Sequence, residues 1–375
     1  MPKVVMPKTT SNEKIHRLNY IGSKFILLDW ITSSMKEKTG WKSFADKTIG
    51  DMFSGTGIVS YNFRNHRAKV ISNDAELYSS IITHAFTRSL YTDVCKKIIE
   101  ELQKDVEDNK HCDTVGFITT HYSPHNTNER KFFTVENAKR IDYMRDRLEA
   151  IKHTHTHTHT HTHTSLTDDE YKFILASILL SADAVSNVPA VYGCFLKSFK
   201  AKAIKNLLLQ PIHNNTTAVV DGSITYNYDV LNKEFLSSFE TDIVYLDPPY
   251  NARQYSKNYF PLNMIAKSPE TLLSELPLKG KTGIPSDCFL SSFCKKGGVA
   301  ETAFETLFKE LNTKWIFISY NSEGIVSKER MLDIMKRYGD ASVIERDYKR
   351  FKSYEYNKDV EIKEYLFCLE KSQPL

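Results

Sequence analysis

The chain has 375 residues, of which 41% are hydrophobic and 26% charged, and its formal net charge is only +4. This composition excludes general disorder and suits one large globular domain with a smaller second one. A nucleic-acid-binding surface would have to come from local clusters of Lys and Arg. We expect a cytoplasmic protein, because there is no secretory signal pattern and no apolar run approaches ~18 residues. Six scattered cysteines form no Cys-x-x-Cys pair, so we expect free thiols and neither zinc nor disulfides.

Lys47–Ser60 is predicted to form a short strand, a glycine turn and the start of a helix. Gly55 and Gly57 permit close approach of the backbone to a ligand, and the helix offers unpaired N–H groups. A second apolar strand, within Ala68–Glu76, ends at Asp74, 19 positions after residue 55. A carboxylate at this spacing reaches ribose hydroxyls in dinucleotide-binding folds. The glycine pair alone would be equally typical of a simple turn, but the combination indicates a nucleotide site.

A mostly helical insertion is predicted between about residues 85 and 212. A helix over Thr134–Ile151 has apolar residues spaced three and four apart, as expected of one buried face, at 138, 141, 144, 148 and 151. A second long helix, around Asp168–Asn187, has acidic residues in its first turn.

His and Thr alternate over His153–Thr164. Alternate histidines on a strand share one face and can bind a metal, but this repeat lies between two predicted helices without an apolar partner face. We therefore predict a solvated loop and no metal site. The repeat also suggests a CA dinucleotide tract in the gene, since CAC and ACA encode His and Thr. Slippage in such a tract would shift the reading frame and switch the protein on and off.

The strand Ile243–Leu246 runs directly into Asp247-Pro248-Pro249-Tyr250. Two consecutive prolines remove two backbone donors and end the strand, which fixes a stiff turn past its carboxyl end. Ligands bind at this edge of open α/β sheets, so a carboxylate and an aromatic face are presented together. A simple strand stop, with Asp247 satisfied by nearby amides, is the alternative. Further strands are predicted at Ala218–Val220 and Trp315–Ser319, and the alternation of strands and helices indicates a mostly parallel sheet.

These motifs resemble those of S-adenosylmethionine-dependent DNA adenine-N6 methyltransferases of the alpha class. The resemblance rests on Leu18–Lys24, Asp51–Gly57 and Asp247–Tyr250, which occur in the order of that class. Most of the chain is covered, because further stretches resemble the FokI-modification-like subgroup: 129–133, 136–142, 251–255 with 258–259, 319–324 and 348–353.

The resemblance implies a fold, a reaction and partners. The fold is a Rossmann-like class I methyltransferase α/β sheet, formed by residues 1–84 and 213–375, with residues 85–212 as a mostly helical inserted target-recognition domain. A lid or a dimer contact is the alternative role for the insertion. The reaction is site-specific transfer of a methyl group from S-adenosyl-L-methionine to the N6 amino group of an adenine flipped out of double-stranded DNA. The partner protein would be a cognate restriction endonuclease; no metal and no membrane are implied.

The catalytic turn fits the chemistry of this amino group, whose lone pair is delocalised into the adenine ring. Two acceptors, the Asp247 carboxylate and the Pro248 carbonyl, would bind its two N–H groups and localise the lone pair. Tyr250 would stack on the base, and Pro249 completes the stiff turn. Positioning and electrostatics would then supply most of the acceleration.

The resemblance also implies cofactor contacts. Tyr20 and Lys24 would hold the methionine end, although Lys24 could equally be an ordinary surface lysine. Asp74 would bind the ribose hydroxyls. Asp221 would meet the adenine amino group of the cofactor, with a turn aspartate as the alternative. The glycine motif would contribute Asp51, Phe53, Gly55 and Gly57.

Three stretches have the composition expected of a DNA-contacting surface, because they contain cations next to aromatic residues or contain cations and no acids. The alternative for each is an ordinary solvent-exposed surface. Their candidate residues are Lys197, Lys200, Lys202 and Lys205; Arg253, Gln254, Tyr255 and Lys257; and Lys349, Arg350 and Lys352.

Three other classes of protein share part of this pattern. Some ribosomal RNA methyltransferases also carry Asp-Pro-Pro-Tyr, but the motif order and the large insertion disfavour an RNA base as the target. Protein-glutamine methyltransferases typically carry Asn in place of Asp247. A non-catalytic module that binds the cofactor and DNA would be expected to have lost its catalytic turn, which is intact here.

Overall fold

The computed structural model describes residues 15–157, 166–216, 219–348 and 362–372. Its strands are β1 (Thr48–Asp51), β2 (Lys69–Asn73), β3 (Ile224–Tyr226), β4 (Thr241–Leu246), β5 (Thr313–Asn321), β6 (Gly339–Tyr348) and β7 (Ile362–Lys371). Its helices are α1 (Leu28–Thr39), α2 (Ile58–Asn65), α3 (Leu77–Thr87), α4 (Asp93–Glu107), α5 (Phe117–Tyr122), α6 (Val135–His157), α7 (Asp168–Ala184), α8 (Lys233–Ser237), α9 (Tyr255–Ala266), α10 (Pro269–Leu272), α11 (Val299–Glu310) and α12 (Lys328–Met335).

The strands form one mixed seven-stranded sheet in the order β3-β2-β1-β4-β5-β7-β6. β1 to β5 pair in parallel, and β7 pairs antiparallel with both β5 and β6. The predicted α/β class is confirmed, and the arrangement is consistent with a class I methyltransferase. The strand order reverses between β1 and β4, and a ligand site is expected at the carboxyl ends of the strands around this switch point.

Two hydrophobic clusters cover the two faces of the sheet. Ile243 and Tyr245 of β4 belong to one cluster and Val244 and Leu246 to the other, because successive side chains of a strand point to opposite faces. The cluster that contains Tyr245 continues into the helical insertion. The predicted buried face of α6 is confirmed, since Ala138, Ile141, Met144 and Leu148 are fully buried and Ile151 packs against the same cluster.

The helical insertion differs from its predicted bounds in three places. The helix α6 extends past Ile151 to His157, so the backbone helix includes the start of the His-Thr repeat; residues 158–165 lie outside the described part of the chain. The helix α7 ends at Ala184, and it begins with a capping box in which the side chains of Thr167 and Glu170 each bind the other residue's backbone N–H. The boundary placed at residue 84 falls within α3.

The strand predicted at Ala218–Val220 was wrong. Ala218 is outside the described residues, and Val219 and Val220 lie in a loop whose turn brings the Ser223 N–H to the Val220 carbonyl. The strand forms after this turn, at Ile224–Tyr226, where β-branched and aromatic residues pair with β2. Two valines before an Asp-Gly turn were too short a run to place the strand.

Among the residues that the structure describes, no helix combines the length and the apolar composition needed to cross a membrane.

Candidate active site

A cleft of about 890 Å³, counting the solvent at its mouth, lies at the carboxyl ends of β1, β2, β3 and β4. It is therefore at the switch point of the sheet, where the topology predicts a ligand site. Five segments line it: Tyr20–Lys24, Met52–Thr56, Asn73–Glu76, Tyr228–Val230 and Asp247–Tyr250. Gln254, Tyr255, Phe289 and Ser291 complete the wall. The three sequence motifs thus meet in one cavity.

The turn after β1 and the acid after β2 are bound to each other. Gly55 has a φ of +51°, in the left-handed region that favours glycine, and a side chain there would meet the Tyr20 ring at 3.4 Å. The Gly55 N–H donates to Asp74 Oδ2 at 2.7 Å, and the Glu76 N–H donates to Asp74 Oδ1 at 2.9 Å. Burial raises the pKa of Asp74, and these hydrogen bonds oppose the rise. The carboxylate is consequently held at one place in the cleft wall.

Gly57 does not line the cleft, contrary to the prediction. It has a φ of +72°, and an added Cβ would lie 2.9 Å from the Thr83 Cα and 3.0 Å from the Phe86 ring. The second glycine of the motif therefore allows α2 to pack closely on α3 and does not approach a ligand.

Asp51 also lies beneath the cleft instead of in its wall. Its side chain is buried, Oδ2 accepts a hydrogen bond from Ser60 Oγ at 2.6 Å, and Oδ1 has no partner. Burial raises the pKa of Asp51 to about 7. It is the last residue of β1, and its side chain points to the buried face of the sheet, which is why the motif pattern misplaced it.

The N-terminal segment is anchored by residues far along the chain. The Tyr20 ring stacks on Tyr259 with the centroids 4.5 Å apart, and the Ile21 N–H donates to the Tyr259 hydroxyl at 3.0 Å. The Asn19 N–H donates to Asp183 Oδ2 at 3.0 Å. Sequence reasoning missed Asp183, although its position as the sole acid between residues 171 and 220 was a usable signal. The helical insertion therefore helps to position one wall of the cleft.

Lys24 and Asp247 form a salt bridge of 2.9 Å, and Lys24 Nζ also donates to the Gly22 carbonyl at 3.1 Å. The Lys24 side chain is only 5% exposed, which excludes the surface-lysine alternative. Burial disfavours its charge, but Asp247 and Glu364 outweigh burial and hold the pKa of the ammonium above its usual value. Burial raises the pKa of Asp247, and Lys24 opposes that rise. The alternative, in which Asp247 only ends the strand and is hydrogen-bonded to nearby backbone amides, is therefore not observed.

Tyr250 and the end of β5 fix the rest of the catalytic turn. The Ile325 N–H donates to the Tyr250 carbonyl at 2.9 Å, and the Tyr250 ring lies edge-on to Tyr320 with the centroids 6.5 Å apart. Pro248 is buried, whereas Pro249 and Tyr250 are half-buried in the cleft wall. The turn therefore offers a carboxylate and an aromatic side chain to the cavity on a backbone held at both ends.

Asp221, which the sequence predicts to contact the cofactor, does not line the cleft. It is exposed and precedes β3, near Lys69 at the start of β2, so it lies at the amino edge of the sheet. Asp229, which follows β3 at the carboxyl edge, lines the cleft instead. The misplaced strand at residues 218–220 caused this error, because the acid after the true strand is eight residues later.

Asn73 fixes the loop that carries Asp229. Its side-chain Oδ1 accepts from the Tyr228 N–H at 2.9 Å, and its Nδ2 donates to the Tyr228 carbonyl at 3.1 Å. Tyr228 itself is 48% exposed and stacks on Phe235. Asn73 and Tyr228 were missed from the sequence because both act through a contact between β2 and the end of β3.

The predicted DNA-contacting residues divide into exposed and engaged side chains. Lys197, Lys205, Arg253 and Lys257 are exposed, whereas Lys349, Arg350 and Lys352 lie outside the described residues.

Four other candidates bind within the protein. Lys202 donates to the Asp183 carbonyl in the last turn of α7, where the helix end attracts cations, and Lys200 donates to the Val188 carbonyl just after the helix. The Gln254 side chain exchanges hydrogen bonds with the backbone of Ser291, and the Tyr255 hydroxyl donates to the Ile21 carbonyl. Gln254 and Tyr255 therefore belong to the cleft wall, and Lys200 and Lys202 are structural.

A cluster of possible metal ligands, His84, Asp168 and Asp169, lies at the start of α7. Asp169 already binds His84 at 2.6 Å and Arg88 at 3.5 Å, and Asp168 binds Lys172 at 2.7 Å. Burial lowers the pKa of His84, so its contact with Asp169 is a hydrogen bond, and Arg88 and Lys172 are the cations that pair with the two carboxylates. These partners explain the cluster at the first turn of the helix.

Comparison with known proteins gives the family. Residues 20–334 match the family model described as D12 class N6 adenine-specific DNA methyltransferase. The Type II methyltransferase M.CviAII of Paramecium bursaria Chlorella virus 1 is 37% identical over 355 residues, 94% of this chain and 98% of that protein. M.NlaIII of Neisseria lactamica is 36% identical, over 95% of this chain and 100% of its own length. M.FokI of Planomicrobium okeanokoites is 33% identical, over 94% of this chain and 53% of its length. No solved structure shows a significant match.

These matches confirm the resemblance drawn from the motifs and disfavour the RNA and non-catalytic alternatives. The chain belongs to the D12 class of N6 adenine-specific DNA methyltransferases.

Proposed function

We propose that the protein transfers a methyl group from S-adenosylmethionine to the N6 amino group of a flipped-out adenine within a short duplex sequence. One observation carries the proposal: the glycine turn, the Asp74 carboxylate and the Asp247 turn line the same cleft. A nucleotide-binding wall and an acceptor for an amino group thereby face each other.

The cleft fits this cofactor chemically. S-adenosylmethionine supplies a methyl group activated on a sulfonium. Asp74 offers a fixed carboxylate for ribose hydroxyls, and Asp229 offers an acceptor for an adenine amino group at the end of the next strand. Gly55 leaves room beside the Tyr20 ring, where a side chain would intrude. Lys24, whose ammonium is buried beside these groups, is available to a carboxylate as well as to Asp247.

The catalytic turn would bind the target base. The Asp247 carboxylate and the Pro248 carbonyl would each accept one N–H of the amino group, so that its lone pair points toward the methyl group. Tyr250 would stack on the base, since its ring forms part of the wall next to Asp247. Extruding a base from the duplex costs a few kcal/mol, which stacking and these hydrogen bonds would offset.

DNA contact would use the exposed cations beside the cleft, Arg253 and Lys257, and those of the insertion, Lys197 and Lys205. We propose that residues 85–212 recognise the target sequence. The relatives are named Type II methyltransferases and modification methylases, which supports a role as the modification component beside a cognate restriction endonuclease.

The test is methyl-resolved sequencing of DNA from a methylation-free host that expresses the chain. We expect N6-methyladenine at one short motif, lost in Asp247→Ala and retained in Asp221→Ala. The second variant is a matched control, because Asp221 is an exposed aspartate outside the cleft. Absence of modified adenine, with the wild-type protein expressed and able to bind S-adenosylhomocysteine, would contradict the proposal. Methylation that survives in Asp247→Ala would contradict the role of the catalytic turn.

A further inference from the structure

A buried polar layer lies directly beneath the catalytic turn. It consists of Asp51 on β1, Tyr245 on β4, Ser319 on β5 and Glu364 on β7, none of which is more than 6% exposed. Asp51 is the cross-strand neighbour of Tyr245. These side chains share one face of the sheet, because each lies two positions along its strand from a residue of the same hydrophobic cluster. Those residues are Ile49, Ile243, Phe317 and Leu366, respectively. Asp247 follows Tyr245 by two positions at the edge of this layer.

The Tyr245 and Ser319 side chains interact with each other, whereas Asp51 Oδ1 and Glu364 Oε2 have no hydrogen-bond partner among the described residues. Buried polar atoms without partners are rare in proteins, and two carboxylate oxygens in one layer call for a functional explanation. Glu364 is the member whose charge acts on the catalytic turn, since it attracts Lys24 and repels Asp247.

Among the residues that the structure describes, Lys24 is the cation that acts on Glu364. The cross-strand neighbours of Glu364 are Asn321 on β5, which is uncharged, and Arg346 on β6. Arg346 forms no ion pair with Glu364 in the described part of the chain, and its guanidinium lies 6.0 Å from the Trp30 ring centroid. Lys24 therefore forms a salt bridge with the Asp247 carboxylate and is also attracted by the Glu364 carboxylate.

We propose that Glu364 is a positioning residue that shares the charge of Lys24, so that the Lys24–Asp247 pair and Glu364 together present a net negative charge to the amino group of the target base. Lys24 with Asp247 alone is a neutral pair, whereas the addition of an ionised Glu364 gives the three groups one net negative charge. This inference rests on the role of Asp247 proposed above. It adds a residue that none of the sequence motifs contains.

The net charge matters because methyl transfer moves positive charge onto the amino nitrogen. The C–N bond forms while the sulfur–carbon bond breaks, the electron pair of that bond passes to sulfur, and the nitrogen then releases a proton to water. A fixed negative charge in a site with little water stabilises charge that develops in this way far more than it would in bulk water. A neutral pair would contribute much less.

The first test compares Glu364→Gln and Glu364→Asp with a matched control on the same strand, Glu370→Gln. Glu370 is 40% exposed and pairs with Lys314 at the surface. Burial, offset by Lys24, raises the pKa of Glu364 to about 7. We expect kcat of the wild type and of Glu370→Gln to rise with pH through about 7. Glu364→Gln should lose this rise and be about tenfold or more slower at pH 8, with little change in DNA affinity. Glu364→Asp should retain the rise at a lower kcat.

The second test does not depend on activity. In protein labelled with carboxyl-¹³C glutamate, a resonance that titrates near pH 7 should disappear in Glu364→Gln and titrate at higher pH in Lys24→Met. Glu76, whose pKa burial raises to about 8, should give a second resonance, which Glu76→Gln removes. If Glu364→Gln fails to fold, the shift of the remaining resonance in Lys24→Met is the test.

An unchanged kcat and pH profile in folded Glu364→Gln, or the absence of any glutamate resonance that titrates above pH 6 other than that of Glu76, overturns the inference. Inactive Asp247→Ala together with unchanged Glu364→Gln would refute the role of Glu364 alone. Active Asp247→Ala would refute the proposed function of the turn on which it rests.

Discussion

Asp51→Asn should change the pH dependence of stability more than any other single substitution beneath the cleft. The carboxyl is 1% exposed, and burial raises its pKa from 3.8 to about 7. At about 1.4 kcal/mol for each pKa unit, this difference corresponds to about 4 kcal/mol. Since the pKa is raised on folding, the contribution is fully present below about pH 4 and is lost as the pH rises through 7. The wild type should therefore lose on the order of 4 kcal/mol relative to Asp51→Asn between pH 4 and 8.

Urea unfolding of both proteins at intervals from pH 4.5 to 9 measures this difference. In Asp51→Asn the amide oxygen can still accept from Ser60, and the amide nitrogen replaces the unpartnered oxygen, so any offset between the two proteins should not depend on pH. Ser60→Ala is the matched control. It removes a hydrogen bond that lowers the pKa of Asp51, so the midpoint of the loss should move to higher pH. A constant difference between wild type and Asp51→Asn across the range would refute the reasoning.

Four further substitutions or deletions have defined outcomes. Gly57→Ala should lower the free energy of unfolding in urea by on the order of 3 kcal/mol. Its φ is +72°, and the added Cβ would lie 2.9 Å from the backbone of α3. Gly40 has the same φ of +72° but no atom within 4 Å of the added Cβ, so Gly40→Ala should cost only about 1 kcal/mol. Asp229→Ala should weaken S-adenosylhomocysteine binding about tenfold in calorimetry, the loss expected of one buried hydrogen bond. Asp142→Ala should lower stability by about 3 kcal/mol, since its carboxylate accepts from three backbone N–H groups at the start of α5. In-frame deletion of one His-Thr unit from the repeat should leave DNA methylation intact, as measured by sequencing; loss of methylation would mean that the repeat has a structural role.

The sequence was most informative where the physical signal is local. The strand before Asp247 and the stop imposed by two prolines depend only on neighbouring residues, and both formed as predicted. The glycine turn and Asp74 were placed correctly in the cleft for the same reason, since a short strand, a turn and a second strand fix their separation.

The sequence was least informative where a side chain acts across the sheet. Asp183 anchors the N-terminal segment only because α7 packs beside Asn19, 164 positions away along the chain. Glu364 enters the polar layer through the antiparallel pairing of β5 with β7, which no motif encodes. The error at Asp221 has a related cause, because a shift of one short strand moved the expected acid from one edge of the sheet to the other.

The sheet order also determines what a frameshift in the His-Thr repeat would do. The repeat lies after β1 and β2 in the chain but before β4, which pairs with β1 at the centre of the sheet. A frame change at residues 153–164 would therefore remove the Asp247 turn together with β4, β5 and β7, and leave β1 without its central neighbour. The hydrophobic cluster that joins α6 to the sheet would lose α7 together with Ile243, Tyr245 and Phe317. Such a product could not form the cleft or bury its remaining apolar surface. A frameshift in the repeat would therefore eliminate the folded enzyme instead of leaving a folded but inactive protein that competes for DNA.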